Sequence, residues 1–146
     1  MNGNTELLNY IHQNSEMGIE TISQLLGIVK DDEYKKMLHS QYNEYKAIYD
    51  AVNLRLAELK KEAKDISPLS KVTTYITINM KTLTDKSPSH ISEMLIRGST
   101  MGIVEITKNI KEYKGADTEI LTLANRLLMF EQQNVEECKK FLGVRA

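Results

Sequence analysis

The chain has 146 residues, 41% of them apolar, and nineteen basic residues against twenty acidic ones leave a formal charge of −1. That length predicts one domain, residues 1–146, with a core large enough to stand without disulfides or a structural metal. Near-neutral charge argues against nucleic acid and anionic lipid as partners, and no apolar run approaches the roughly 20 residues of a membrane span.

The N-terminus carries no basic stretch followed by an apolar one, so no secretory leader is expected and a soluble cytoplasmic protein fits best. Cys138, the single cysteine, has no partner for an intramolecular disulfide and reads as a small core hydrophobe. Two prolines, seven glycines and no tryptophan favour long helices with short connections over a sheet with many turns.

The first helix is expected from about Thr5 to Val29, with Leu8, Ile11, Ser15, Ile19, Ile22, Leu26 and Val29 along one face. Asp31 or Asp32 can cap the second, which should run from Glu33 to about Lys64 with Leu38, Tyr42, Tyr45, Ile48, Val52, Leu56 and Leu59 as its apolar stripe. Ser67-Pro68 marks the end of that region, because the residue before proline is pushed out of helical geometry. A short connecting helix is expected over Leu69 to Leu83, with Val72, Ile76, Met80 and Leu83 at helical spacing. Ser87-Pro88 pairs a capping hydroxyl with a proline at the first helical position, and opens a helix to about Lys114. Gly115 should stop it in a left-handed conformation. A last helix spans Thr118 to Leu142 and closes at Gly143. The sum is an all-α four-helix bundle of two hairpins, joined by a long crossover that carries a short extra helix.

The two hairpins share a repeat. Ser15-Glu16-Met17-Gly18-Ile19 returns as Ser99-Thr100-Met101-Gly102-Ile103, 84 residues later, and the stripe continues with Ile22 matching Ile106 and Leu26 matching Ile110. The second helices align when the second turn is three residues longer, so that Leu38 meets Asn125, Glu44 meets Glu131, Ala51 meets Cys138 and Leu54 meets Phe141. Glu131 falls on the stripe Ile120, Ala124, Leu127, Glu131, Asn134, Cys138, Phe141. A carboxylate there needs a partner, because an unpaired buried charge is costly.

In its architecture, its repeated Met-Gly-Ile segment and its mid-helix glutamates the chain resembles the ferritin-like superfamily, particularly small rubrerythrin-like bacterial domains of unknown function. In metal-binding members each hairpin supplies a glutamate from its first helix and a Glu-x-x-His pair from its second. The resemblance implies Glu20, Glu44, Glu105 and Glu131 as candidate metal ligands. The chain departs from the pattern at both histidines, since Glu44 is followed by Tyr45-Lys46-Ala47 and Glu131 by Gln132-Gln133-Asn134. Arg55, Arg126 and Asn134 are candidate partners for Glu44 and Glu131 instead.

His12 is placed to face the core about one turn before Ser15, His39 lies at the wrong spacing from Glu44 and His90 sits by a helix start, so all three read as structural or solvated, with His12 or Asn134 as the substitute ligand should a metal be held. Tyr42, Tyr45 and Tyr49 read as packing residues with hydroxyls reaching water. No phosphate loop, nucleophile–base pair or zinc spacing is present. The expected function is therefore non-catalytic: a structural, stress-associated or partner-binding bundle, dimeric, with a decayed metal site and no cofactor. The alternative is a carboxylate-rich di-iron oxidase or peroxidase. A third class, a bundle holding an apolar ligand where Gly18, Gly98 and Gly102 leave room, would show itself as a large cavity.

Overall fold

The computed structural model describes residues 2–59 and 83–145. Among them are four helices and no strand: α1 (Asn4–Leu26), α2 (Asp32–Glu58), α3 (Pro88–Glu112) and α4 (Thr118–Lys139). The expected connecting helix, apart from its last residue Leu83, and the last residues of the expected second helix lie outside the described residues. No helix among the described residues is long and apolar enough to cross a membrane.

The helix starts follow the local chemistry. The Asp31 carboxylate accepts the Tyr34 N–H at 2.8 Å, and the Ser87 hydroxyl accepts the His90 N–H at 3.2 Å with Pro88 directly behind it. The ends fit the sequence less well. α1 stops at Leu26 rather than Val29, with the Gly27 N–H turned back to the Gln24 and Leu25 carbonyls. α3 stops at Glu112, and Gly115 does not take the left-handed conformation expected of it. Gly143 does, at φ 91°, where the chain turns so that its N–H reaches the Ser89 hydroxyl at 2.7 Å. The Ser89 N–H in turn donates to the Val144 carbonyl at 2.9 Å, tying the tail after α4 to the start of α3.

α1 packs along α2 and α3 along α4, and the hairpins meet mainly through α4 lying against α1 and α2. Cross-links fix the directions. The Asn4 side-chain oxygen at the start of α1 accepts the Asp117 N–H at the start of α4, at 2.8 Å, whereas the Tyr34 and Ser92 hydroxyls join the starts of α2 and α3 at 2.9 Å. α1 and α4 therefore run one way and α2 and α3 the other, so the chain leaves α2 at one end of the bundle and enters α3 at the other.

The core is built from Leu7, Leu8, Ile11, Ile22 and Leu25 of α1, Tyr34, Leu38, Ile48, Val52 and Leu56 of α2, Ile91 and Ile106 of α3, and Ile120, Ala124 and Leu127 of α4. On α1 the buried face is rotated and broadened relative to the expected stripe: Leu7, Met17 and Leu25 are buried, and Ile19 and Leu26 sit half-buried at its edge. The 84-residue repeat holds in space, since Leu7 and Ile91, Ser15 and Ser99, Gly18 and Gly102, and Ile22 and Ile106 are all buried pairs.

For the second helices the register needs correction. Buried positions coincide at an offset of 86 rather than 87, pairing Leu38 with Ala124, Tyr45 with Glu131, Ile48 with Asn134 and Val52 with Cys138. The three-residue alignment would set buried Leu38 against exposed Asn125 and exposed Leu54 against Phe141. α3 is two residues longer than α1, and that accounts for the shift. The counterpart of Glu131 is thus Tyr45, and Glu44 corresponds to Phe130.

Candidate functional site

The polar centre of the bundle forms where these equivalent positions meet. Gly18 on α1 makes it possible, because a β-carbon there would stand 2.5 Å from the Tyr45 ring. Tyr45 fills that gap, packs edge-on against Phe130 at 4.7 Å between ring centres, and donates its hydroxyl to Glu131 Oε1 at 2.7 Å. The space that Gly18 was expected to leave in the core is therefore taken by a side chain.

Glu131 is fully buried. Loss of water raises its pKa to about 7, against the opposing pull of the Tyr45 and Ser99 hydroxyls, which favour the charged form. Its second oxygen, Oε2, has no hydrogen-bond partner among the described residues, while the buried Asn134 one turn on sets its amide toward the Tyr45 hydroxyl without a hydrogen bond of ordinary length. Burial also holds the Tyr45 phenol well above its ordinary value, reinforced by the adjacent carboxylate, so this tyrosine stays protonated. Tyr10 of α1 completes the centre, taking a hydrogen bond from the Asn14 amide at 3.3 Å. Its pKa is raised first by burial and then by the negative charges of Glu131 and Glu105.

The four expected metal ligands do not converge. Glu131 is at the centre, and Glu105 is half-buried near Tyr10, 3.6 Å from Lys108 Nζ. Glu20 is exposed. Glu44 lies on the rim between α2 and α4, where Arg126 grips both its oxygens, Nε donating at 2.8 Å and Nη2 at 2.9 Å. Among the described residues no three of His, Cys, Asp and Glu come together in a way that could hold a metal ion. The places three residues after Glu44 and Glu131 hold Ala47 and Asn134, a methyl group and an amide where a di-iron centre uses imidazoles. This donor set does not fit such a centre.

His12 is buried against Tyr49, their ring centres 4.9 Å apart, with Nε2 3.3 Å from Glu16 Oε2; His39 is exposed, and His90 stands near Glu93 at the start of α3. The tyrosine hydroxyls divide: that of Tyr45 goes to Glu131 rather than to water. Arg55 bridges Glu58 and Glu119 at 2.9 and 2.8 Å instead of serving the buried glutamate.

Between α2 and α4 lies an open groove of about 800 Å³. Met37, Met129 and Phe130 supply its apolar surface, Gln41 and Asn134 its buried amides, and the Glu44–Arg126 pair its rim. Met129, which by its residue type would be expected to fill the core, instead breaks the otherwise polar outer face of α4 and is 68% exposed.

Compared with protein families, with curated proteins and with solved structures, the chain matches none of them.

Proposed function

We propose that this chain is a non-catalytic ferritin-like bundle, a structural, stress-associated or partner-binding protein of the bacterial cytoplasm that works as a dimer and whose ancestral metal site has decayed. One observation carries the reading. At the symmetric position where two inward glutamates would be needed, one hairpin offers Glu131 and the other Tyr45, and the two are hydrogen-bonded to each other. A phenol held protonated beside the carboxylate occupies the place of a second ligand and leaves the first one engaged.

The helix directions support the ferritin-like assignment, because two antiparallel hairpins with parallel middle helices call for a crossover from one end of the bundle to the other. The remaining glutamates support the loss of metal chemistry. Glu44 is neutralised by a two-pronged guanidinium contact, the geometry in which arginine holds carboxylates best. The apolar core on both sides of the polar layer supports a structural role.

Two measurements test the proposal. Protein loaded anaerobically with iron(II) and desalted is expected to consume oxygen and hydrogen peroxide at the rate of buffer, and turnover abolished by Glu131→Gln would instead establish the di-metal oxidase or peroxidase. Light scattering behind size-exclusion chromatography should give twice the chain mass; a monomer at high concentration would remove the dimer.

A further inference from the structure

Met129 and Leu54 are the two most exposed large apolar side chains among the described residues, Leu54 at 63%, and they belong to α4 and α2, the helices that flank the groove. A single exposed apolar residue signifies little, but these two have company. Along α2 the groove-lining Ser40 is followed at helical spacing by Ala47, Ala51 and Leu54. A row of short side chains ending in a leucine therefore runs along the outer side of α2, a shallow channel that the ridge of another helix can enter.

A knob and a hole stand side by side on this face. Met129 projects from α4, and the groove beside it has Met37 and Phe130 among its walls. In a two-fold dimer each patch meets the same patch of the other copy, so a projection next to a pit of like chemistry is complementary to itself. An unbranched thioether adapts its shape to such a pit, and methionine and aromatic residues are enriched at the cores of protein interfaces.

Charge favours the same partner. Glu44 is gripped by Arg126, Arg55 of α2 reaches Glu119 of α4 at 2.8 Å, and Glu137 is paired with Lys140 at 3.4 Å. An acidic or basic partner would find its counter-charges already committed. A second copy brings the same internally paired charges, so the two faces meet without unbalanced repulsion. The size is adequate as well. The 22 residues of α4 make a rod about 33 Å long, and two such helices, each about 10 Å across, present on the order of 700 Å². A stable dimer takes about 800 Å² from each partner.

We propose that the α2–α4 face is the surface on which two copies of this chain join about a two-fold axis. Met129 of each chain sits in the groove of the other against Met37 and Phe130, and Leu54 with its neighbouring alanines closes the rest of the contact. This rests on the dimeric reading proposed above and adds the surface to it.

The test is light scattering over a concentration series on the full chain, on Met129→Glu and on Val104→Glu, with circular dichroism to confirm the helical fold of each. Wild type is expected to be a dimer. Met129→Glu sets a carboxylate into both grooves at an exposed position, and should raise the dimer dissociation constant at least about 30-fold. Val104→Glu changes a residue that is 50% exposed on α3, outside this face, and should leave the constant unchanged. Should Met129→Glu fail to fold, Met129→Cys treated with a short bismaleimide decides: a cross-linked dimer is expected from the variant and none from wild type, whose Cys138 is buried, and no cross-link from the variant overturns the surface. A dimer that survives Met129→Glu with its dissociation constant unchanged, or that Val104→Glu weakens equally, overturns the surface and leaves the dimeric reading standing. A monomeric wild type removes the dimeric reading and the surface with it.

Discussion

Replacing Glu131 by glutamine should change how stability depends on pH more than it changes stability at any one pH. In the unfolded chain the carboxyl titrates near its ordinary value of 4.5, and in the folded chain at about 7. Below about pH 4.5 both states hold the proton, and the folded state has its full advantage. As pH rises the unfolded chain ionises first, so it binds fewer protons than the folded one and stability falls by about 1.4 kcal/mol per pH unit. The fall ends near pH 7, where the folded carboxyl ionises too, for a total of about 3 kcal/mol. Glutamine has nearly the same shape and no proton to lose. Urea denaturation of wild type and Glu131→Gln at about pH 4.5, 6 and 8 isolates this group, because the other titrations cancel in the difference. The variant should gain on wild type by about 3 kcal/mol from the acid to the alkaline end. A difference that stays flat, or that runs the other way, would show that Glu131 is stably ionised in the folded protein and would refute the account of the polar centre.

Tyr45→Phe removes the donor that favours the charged form of Glu131, so the carboxyl pKa, followed by ¹³C NMR, should move above about 7, and stability at about pH 8 should drop by roughly 1–3 kcal/mol. Gly18→Ala should lower Tm by several degrees, because pushing the Tyr45 ring aside costs about 1–3 kcal/mol, more than the roughly 1 kcal/mol alanine contributes to a helix. A double-mutant cycle on Glu44 and Arg126 should return a coupling below about 1 kcal/mol that shrinks in high salt, since both side chains are substantially exposed. Asp31→Ala should cost about 1 kcal/mol by leaving the Tyr34 N–H without its cap, as read by denaturant midpoint.

The helices were legible because their apolar residues recur at the helical period and because Ser87-Pro88 and Asp31 carry capping chemistry that needs no tertiary help. Glu131 was legible too, as a carboxylate inside an apolar stripe. Its partner was not, and the reason is one residue of phase. Neighbours on a helix point about 100° apart, so choosing between Glu44 and Tyr45 as the inward residue decides which one meets Glu131. Identity between glutamates favoured Glu44, while the stripe through Leu38, Tyr45, Ile48 and Val52 already favoured Tyr45; packing follows the stripe. The buried asparagines of α1, Asn4, Asn9 and Asn14, were hidden for another reason. Periodicity counts apolar residues, and a polar side chain inside a wide buried face leaves no mark on that count. Gly115 shows the limit of reading helix ends from composition, because α3 ends before the glycine that could have stopped it.

The central claim is that Tyr45 and Glu131 stand where a metal site has been lost. It is tested most directly by elemental mass spectrometry on untagged protein, before and after anaerobic iron loading and desalting. Neither sample should hold stoichiometric iron, and wild type and Glu131→Ala should not differ. Iron retained in stoichiometric amount by wild type and lost in Glu131→Ala would contradict it.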